Sequence, residues 1–179
     1  SEYLVVSSDI KENKDLLDLL RRISRHQIAN WSYINFHLEK NYANPEVIEP
    51  FFEIMKALDS KAIYNSYFEL KELRKELITY ATTLDARHRQ DFREFMVMTS
   101  LMSLTQEAFI YMMHFDMGAE VHGFTREANL IAEDIEYAIE DYRELWRSRN
   151  RESELFRVCN KFYEMADRLR QYERKVKVS

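Results

Sequence analysis

Residues 92–115 constrain this chain more than any other stretch. Fifteen of the 24 are apolar, and twelve of these fall on two stripes at helical spacing. One stripe holds Phe92, Phe95, Met96, Met102, Phe109 and Met113; the other holds Val97, Leu101, Leu104, Ala108, Tyr111 and Phe115. A helix that is apolar on two faces has to be covered on both, so this segment belongs in the middle of a bundle. Five of the chain's eight methionines lie in it, which suits gap-filling between several neighbours better than a cofactor box.

The rest of the sequence supplies the covering helices. Only two glycines and two prolines occur in 179 residues, so turns are rare and elements long. That excludes sandwiches, barrels and a dinucleotide-binding sheet. Leu16, Leu20, Ile23, Gln27, Trp31, Ile34 and Leu38 form a seam that predicts a first helix over 13–41, with Gln27 as its one polar member. Asn44 and Pro45 restart the chain for a short helix over 45–57. Asp59 and Ser60 mark another cap. A long helix follows over 60–84, with Ile63, Tyr67, Leu70, Leu73, Leu77, Tyr80 and Leu84 inward. Its Lys71, Glu72, Arg74, Lys75 and Glu76 read as a solvated face with local ion pairs. The central helix ends near Phe115. Gly118 and Gly123 bracket a loop, and Thr125 caps a helix reaching 149 with Ile131, Ile135, Ala138, Tyr142 and Leu145 inward. The last helix, 153–174, carries Leu155, Val158, Phe162, Met165, Leu169, Tyr172 and Val176 at seven-residue spacing, with a fraying tail after it.

The expected fold is all-α, an antiparallel bundle of about five long helices, since short loops join antiparallel neighbours. It forms a single domain over 10–179, with 1–9 as a connecting segment whose first eight residues have strand-like β-branched content.

Composition narrows the function classes. Apolar residues make up 46% and charged residues 32%, in globular proportion. A net charge of −5 argues against nucleic acid as partner. No apolar run reaches the length that spans a bilayer, so no membrane is expected. The single cysteine, Cys159, excludes an internal disulfide framework and points to a cytoplasmic location.

Motif chemistry is sparse. A di-iron carboxylate bundle needs Glu-x-x-His on two helices, and this chain has none; the nearest pattern begins at Asp85 and ends at His88. No metal and no cofactor are expected. There is no Gly-x-Ser-x-Gly elbow and no phosphate-cradling glycine loop. Cys159, beside Val158 on a seam, reads as a structural thiol. His114 ends the central helix, where a cation suits the helix dipole. The Asn30–Ser32 sequon falls within a helix and reads as chance. Tyr33, Tyr64, Phe68 and Tyr137 lie off the seams and could form an apolar docking patch. Arg87, Arg89, Arg93, Arg147, Arg149 and Arg151 are local basic clusters at helix ends, either solvated or facing an acidic neighbour.

One stretch carries a resemblance. Leu145 and Trp146, followed by Asn150, Arg151 and Leu155, resemble the helical segment after the catalytic barrel in family-20 glycoside hydrolases, the β-N-acetylhexosaminidases. From Ile10 onward the chain looks like the all-helical C-terminal domain of a subgroup of that family. Glu152, Ser153 and Glu154 stand where relatives often carry glycine. The resemblance implies a parent enzyme that removes terminal N-acetylglucosamine or N-acetylgalactosamine by substrate-assisted catalysis. It implies that the working Asp-Glu pair lies on a barrel elsewhere in the polypeptide, because this chain has no Asp-Glu dipeptide and so no catalytic residues of that type. The module would pack on that barrel and help form a homodimer, with Trp146, Asn150 and Arg151 as interdomain contacts; Trp146 reads equally well as bundle core. A freestanding helical protein-interaction bundle without enzymatic activity is the alternative.

Overall fold

The structure is a computed structural model that describes residues 14–26, 57, 59–81, 86–147 and 152–178. Among them are five helices: α1 (Lys14–Ser24), α2 (Ser60–Ala81), α3 (Ala86–Phe115), α4 (Ala128–Arg147) and α5 (Glu152–Val178), with no strand among the described residues. Side-chain pairings give the directions. Arg22 on α1 lies 3.7 Å from Glu76, and His26, just past α1, meets Ser66 ten residues earlier in α2. Gln106 of α3 bonds Ser66, while Arg74 bonds Thr99. Arg93 reaches Glu144, and Glu107 is held by Arg126 just ahead of α4. Glu136 and Glu140 of α4 pair with Arg170 and Tyr163 of α5. Each successive pair of these described helices is therefore antiparallel, as the short connections between α2, α3, α4 and α5 require.

α3 takes the central place. Its residues 103–113 are buried without exception. Phe92, with Phe95, Met96 and Met102 beside it, packs against Leu16, Leu19, Leu20 and Ile23 of α1 and Leu70 and Leu77 of α2. Val97, Leu101, Leu104, Ala108 and Tyr111 face the larger core, built from Ile131, Ile135 and Ile139 of α4 and Phe162, Met165 and Leu169 of α5. The two stripes separate as the spacing requires, with one correction. Phe109 and Met113 belong to the larger core, because α3 outlasts α1 and its C-terminal half is enclosed by α2, α4 and α5.

Several helix ends differ from the sequence expectation. α1 stops at Ser24, whose hydroxyl donates to the Arg21 carbonyl; a turn follows, closed by His26 N–H on Ile23 O at 3.1 Å. The remainder of that seam (Gln27, Trp31, Ile34 and Leu38), the 45–57 helix except its last residue, residues 1–9, Tyr33 and Leu84 lie outside the described residues. Asp59 caps α2 as expected, its carboxylate accepting Lys61 N–H at 2.9 Å. Thr125 does not cap α4. The helix begins at Ala128, whose N–H donates to the Glu173 carboxylate of α5 at 3.2 Å. That carboxylate, 7% exposed, serves the positive end of the helix dipole from a neighbouring helix. α5 continues to Val178 rather than fraying after 174, although its last turns are exposed.

The α3–α4 loop turns on Gly118. At φ 67° it sits in the left-handed region and lets Ala119 N–H reach Met113 O at 2.9 Å. A Cβ there would meet no atom within 4 Å, so a side chain costs only its own backbone strain. Gly118→Ala should lower unfolding free energy by about 1–2 kcal/mol. Gly123, outside the left-handed region and equally open, should tolerate alanine or gain a few tenths of a kcal/mol, ~0.4 or more, from a stiffer unfolded chain. Urea unfolding of the two variants checks both; equal losses would mean that the Gly118 strain is not what closes the loop.

Candidate functional site

The most buried stretch of α3 is not wholly apolar. Ser103, Thr105, Gln106 and Glu107 are each under a tenth exposed. Buried polar groups need partners, and each partner fixes a neighbour. Gln106 turns toward α1 and α2. Its amide donates to Ser66 Oγ at 3.0 Å and to the His26 carbonyl. His26 Nδ1 lies 2.8 Å from the same Ser66 hydroxyl.

Glu107, 1% exposed, turns the other way. Arg126 donates to it through Nε at 2.9 Å and Nη2 at 2.8 Å, a two-point fork. Thr125 donates its hydroxyl to the same carboxylate, which is why it is not free to cap α4. Arg126 also reaches Asp134 through Nη1, and its backbone carbonyl accepts the Tyr111 hydroxyl at 2.7 Å. The hydrogen bonds that Arg126 donates to Glu107 hold its guanidinium firmly protonated. Tyr67 faces Glu107 from α2. Burial, and then the Glu107 charge, pushes its phenol up to about 12. Tyr111 is pushed up to about 12 as well, by burial and then by Glu173 and Glu107.

A cleft of about 370 Å³ opens outside this clamp, where α2, α3 and α4 diverge. Buried Tyr67, Ser103, Leu104 and Glu107 form its inner wall, Arg74 on the lining is partly buried, and Lys71 and Tyr137 are exposed. Arg74 corrects the sequence reading of a uniformly solvated α2 face. Lys75 does pair with Glu72 along the surface, at 2.6 Å. Arg74 instead turns inward and donates to Thr99 Oγ1 at 3.1 Å and Met96 O at 3.3 Å.

The residues expected at a domain contact are placed in part. Tyr142 and Leu145 are buried in the larger core, whereas Trp146, in the last turn of α4, is only half-buried, its ring 5.6 Å from that of Tyr142. Asn150 and Arg151 lie outside the described residues. Tyr64 and Phe68 form an edge-to-face pair 4.9 Å apart on α2, with Phe68 exposed. Tyr137, on α4, is 75% exposed. Arg93, from one basic cluster, is occupied by Asp141 and Glu144 at 3.8 and 3.4 Å. Cys159 is buried in the core, and burial raises its thiol pKa, as a structural thiol requires. His114 is exposed against the edges of Phe115 and Phe124. Among the described residues no group of three or more His, Cys, Asp or Glu side chains could hold a metal ion, and no helix is long and apolar enough to cross a membrane.

Sequence reasoning passed over Glu107, Arg126 and Arg74. The signal for Glu107 was present: three consecutive polar residues, Thr105 to Glu107, interrupt the most apolar stretch of the chain. Such an interruption in a helix covered on all sides announces buried hydrogen bonds. Nothing local distinguishes Arg74 from the charged residues around it.

No protein-family model, curated protein or solved structure matches this chain.

Two outcomes are expected of this cluster. Glu107→Gln removes one partner of a buried pair and leaves Arg126 with Asp134 as its only carboxylate. The loss for a fully buried pair is ~3–5 kcal/mol, and the lower end applies here because Arg126 is about a third open to water. Urea unfolding would measure it; a loss below about 1 kcal/mol would place the pair with ordinary surface bridges. Separately, Tyr67 and Tyr111 hold their protons more tightly folded than unfolded, where the ordinary value is 10.0. Their contribution to stability is complete below pH 10 and is lost as pH rises towards about 12. Stability should fall across that interval, and Tyr67→Phe with Tyr111→Phe should flatten the slope.

Proposed function

We propose that this chain is the non-catalytic C-terminal helical module of a β-N-acetylhexosaminidase that removes terminal N-acetylglucosamine or N-acetylgalactosamine. In this reading it packs on the catalytic barrel of the same polypeptide and contributes to a homodimer. The observation that carries the reading is the position of Trp146. The residues that resemble the family begin at Leu145, which is buried, and continue to Trp146, which is half-exposed in the last turn of α4. A partly buried indole in ring contact with Tyr142 at the end of a helix is suited to anchor a neighbouring domain. Glu107, Arg126, Asp134 and Arg93 are taken up in binding the helices to one another, which supports a scaffolding part for the bundle.

A second reading, a freestanding protein-interaction bundle without enzymatic activity, draws on Tyr137 and Phe156, exposed by 75% and 70%. The native gene product separates the two. A product several-fold heavier than 21.7 kDa that cleaves an aryl N-acetylglucosaminide, with the 179-residue chain inactive, is the expected result. A product near 21.7 kDa would leave the interaction bundle. Within the full enzyme, Trp146→Ala should weaken docking by about 2 kcal/mol or more and lower activity, while the isolated bundle keeps its cooperative melting. Loss of that melting in the isolated bundle would make Trp146 a core residue and defeat the docking role.

A further inference from the structure

Three cations and three carboxylates line the α2–α3–α4 cleft, but they are unevenly paired. Its carboxylates are occupied: Glu107 and Asp134 by Arg126, and Asp141 by Arg93 at 3.8 Å. Its two remaining cations are not. Neither Lys71 nor Arg74 has a carboxylate within ion-pair distance among the described residues, and Arg74 is partly buried. An uncompensated guanidinium is costly to bury, and burial alone lowers its pKa. The groups that do hold Arg74 are neutral. Thr99 Oγ1 accepts its Nε–H at 3.1 Å and passes its own proton to Met96 O at 3.0 Å; the same carbonyl accepts an Nη2–H at 3.3 Å. These bonds fix the plane of the guanidinium and use two of its five N–H groups. Both hydrogens on Nη1 and one on Nη2 remain, the fork that grips a carboxylate at two points. Ser100 and Ser103, one helical turn apart on α3, add hydroxyl donors on the same wall.

We propose that this cleft binds a small organic carboxylate carrying hydroxyl or ammonium groups, its carboxylate held by Arg74 and Lys71 beside Ser100 and Ser103. The opposite wall narrows the ligand. Asp134 and Asp141 disfavour a second negative charge in the cleft and offer acceptors to hydroxyl or ammonium hydrogens. At about 370 Å³ the cleft is near the small end of the range for ligand pockets, which suits a metabolite of a few carbons. The proposal does not rest on the hexosaminidase reading, since every residue in it belongs to the bundle itself.

The test is a titration of the intact 179-residue chain at low ionic strength with glycerate, with glycerol as the neutral counterpart and inorganic phosphate as the more highly charged anion. The ¹⁵Nε resonance of Arg74 and the amides of Ser100 and Ser103 are followed by NMR. Glycerate should shift them and saturate, glycerol should not, and phosphate should bind more weakly. Arg74→Gln should weaken glycerate binding about tenfold or more, and Lys71→Gln, at an exposed position, by a smaller factor. Arg74→Gln should leave the melting midpoint of the ligand-free chain unchanged or raised, whereas a purely structural Arg74 would lower it. If Arg74→Gln does not fold, Lys71→Gln and the Arg74 resonance of the unaltered chain carry the decision. Absence of saturable glycerate binding, binding undiminished by both substitutions, or phosphate binding as tightly as glycerate would overturn the proposal.

Discussion

Glu107 is a carboxylate inside the fully buried 103–113 stretch of α3, and much of the bundle is arranged around that fact. An ionised group at 1% exposure is tolerated only when opposite charge and hydrogen bonds surround it. Arg126, Thr125 and Tyr67 meet that demand, and they come from two places: the loop just ahead of α4 and α2. The carboxylate therefore sets where α4 starts relative to α3. A similar device closes the other side of α4, where Glu173 of α5 takes the Ala128 N–H. Hydrophobic burial supplies most of the driving force for association but is nearly indifferent to small slides of one helix along another. The polar groups choose among those slides.

Gln106 extends the same logic in the opposite direction. One residue earlier on α3 it faces the α1–α2 side and engages Ser66 and the His26 carbonyl. Adjacent positions on a helix point about 100° apart, so a polar pair at 106 and 107 reaches two separate sets of neighbours. The turn after α1 can be understood from this. The His26 carbonyl is committed to Gln106, and Ser24 draws in the Arg21 carbonyl, so the last turn of α1 is held by side chains.

Legibility in the sequence followed the type of force. Most of the paired stripes of α3, the inward seams of α2, α4 and α5 except Val176, which is exposed, and Leu84, which lies outside the described residues, and the Asp59 cap are periodic or local signals, and the structure places them as the spacing requires. What escaped was long-range. Thr125 looks like a helix cap because its own neighbours favour one; only the carboxylate of Glu107, 18 residues away, draws its hydroxyl elsewhere. Arg74 sits among Glu72, Lys75 and Glu76 and is indistinguishable from them until Thr99 and Met96 of α3 are seen to receive it. Phe109 and Met113 went to the larger core because the lengths of α1 and α3 differ, which a stripe does not encode. Trp146 is the one residue of the Trp146, Asn150 and Arg151 set that lies among the described residues, and its half-buried state in the fold is compatible with core and with docking surface at once.

The two charged systems at the centre of the molecule differ in a way that bears on what each can do. In the Glu107–Arg126 clamp every charge is answered within the chain, so the clamp gains little from any ligand and serves to hold helices. Arg74 lies along the same cleft wall, with its orientation fixed and its charge unanswered. A fixed but uncompensated guanidinium destabilises the empty protein slightly and favours whatever brings it a negative charge, because the cost of ordering the group has already been met in folding. The clamp also isolates the cleft from the core. With Glu107 neutralised by Arg126, the inner wall no longer repels an anion, and the field near Ser100 and Ser103 is set by Arg74 and Lys71. The buried ion pair and the open cation are thus coupled: loss of the Arg126 charge would free the Glu107 carboxylate to repel an anion from the cleft that Arg74 faces.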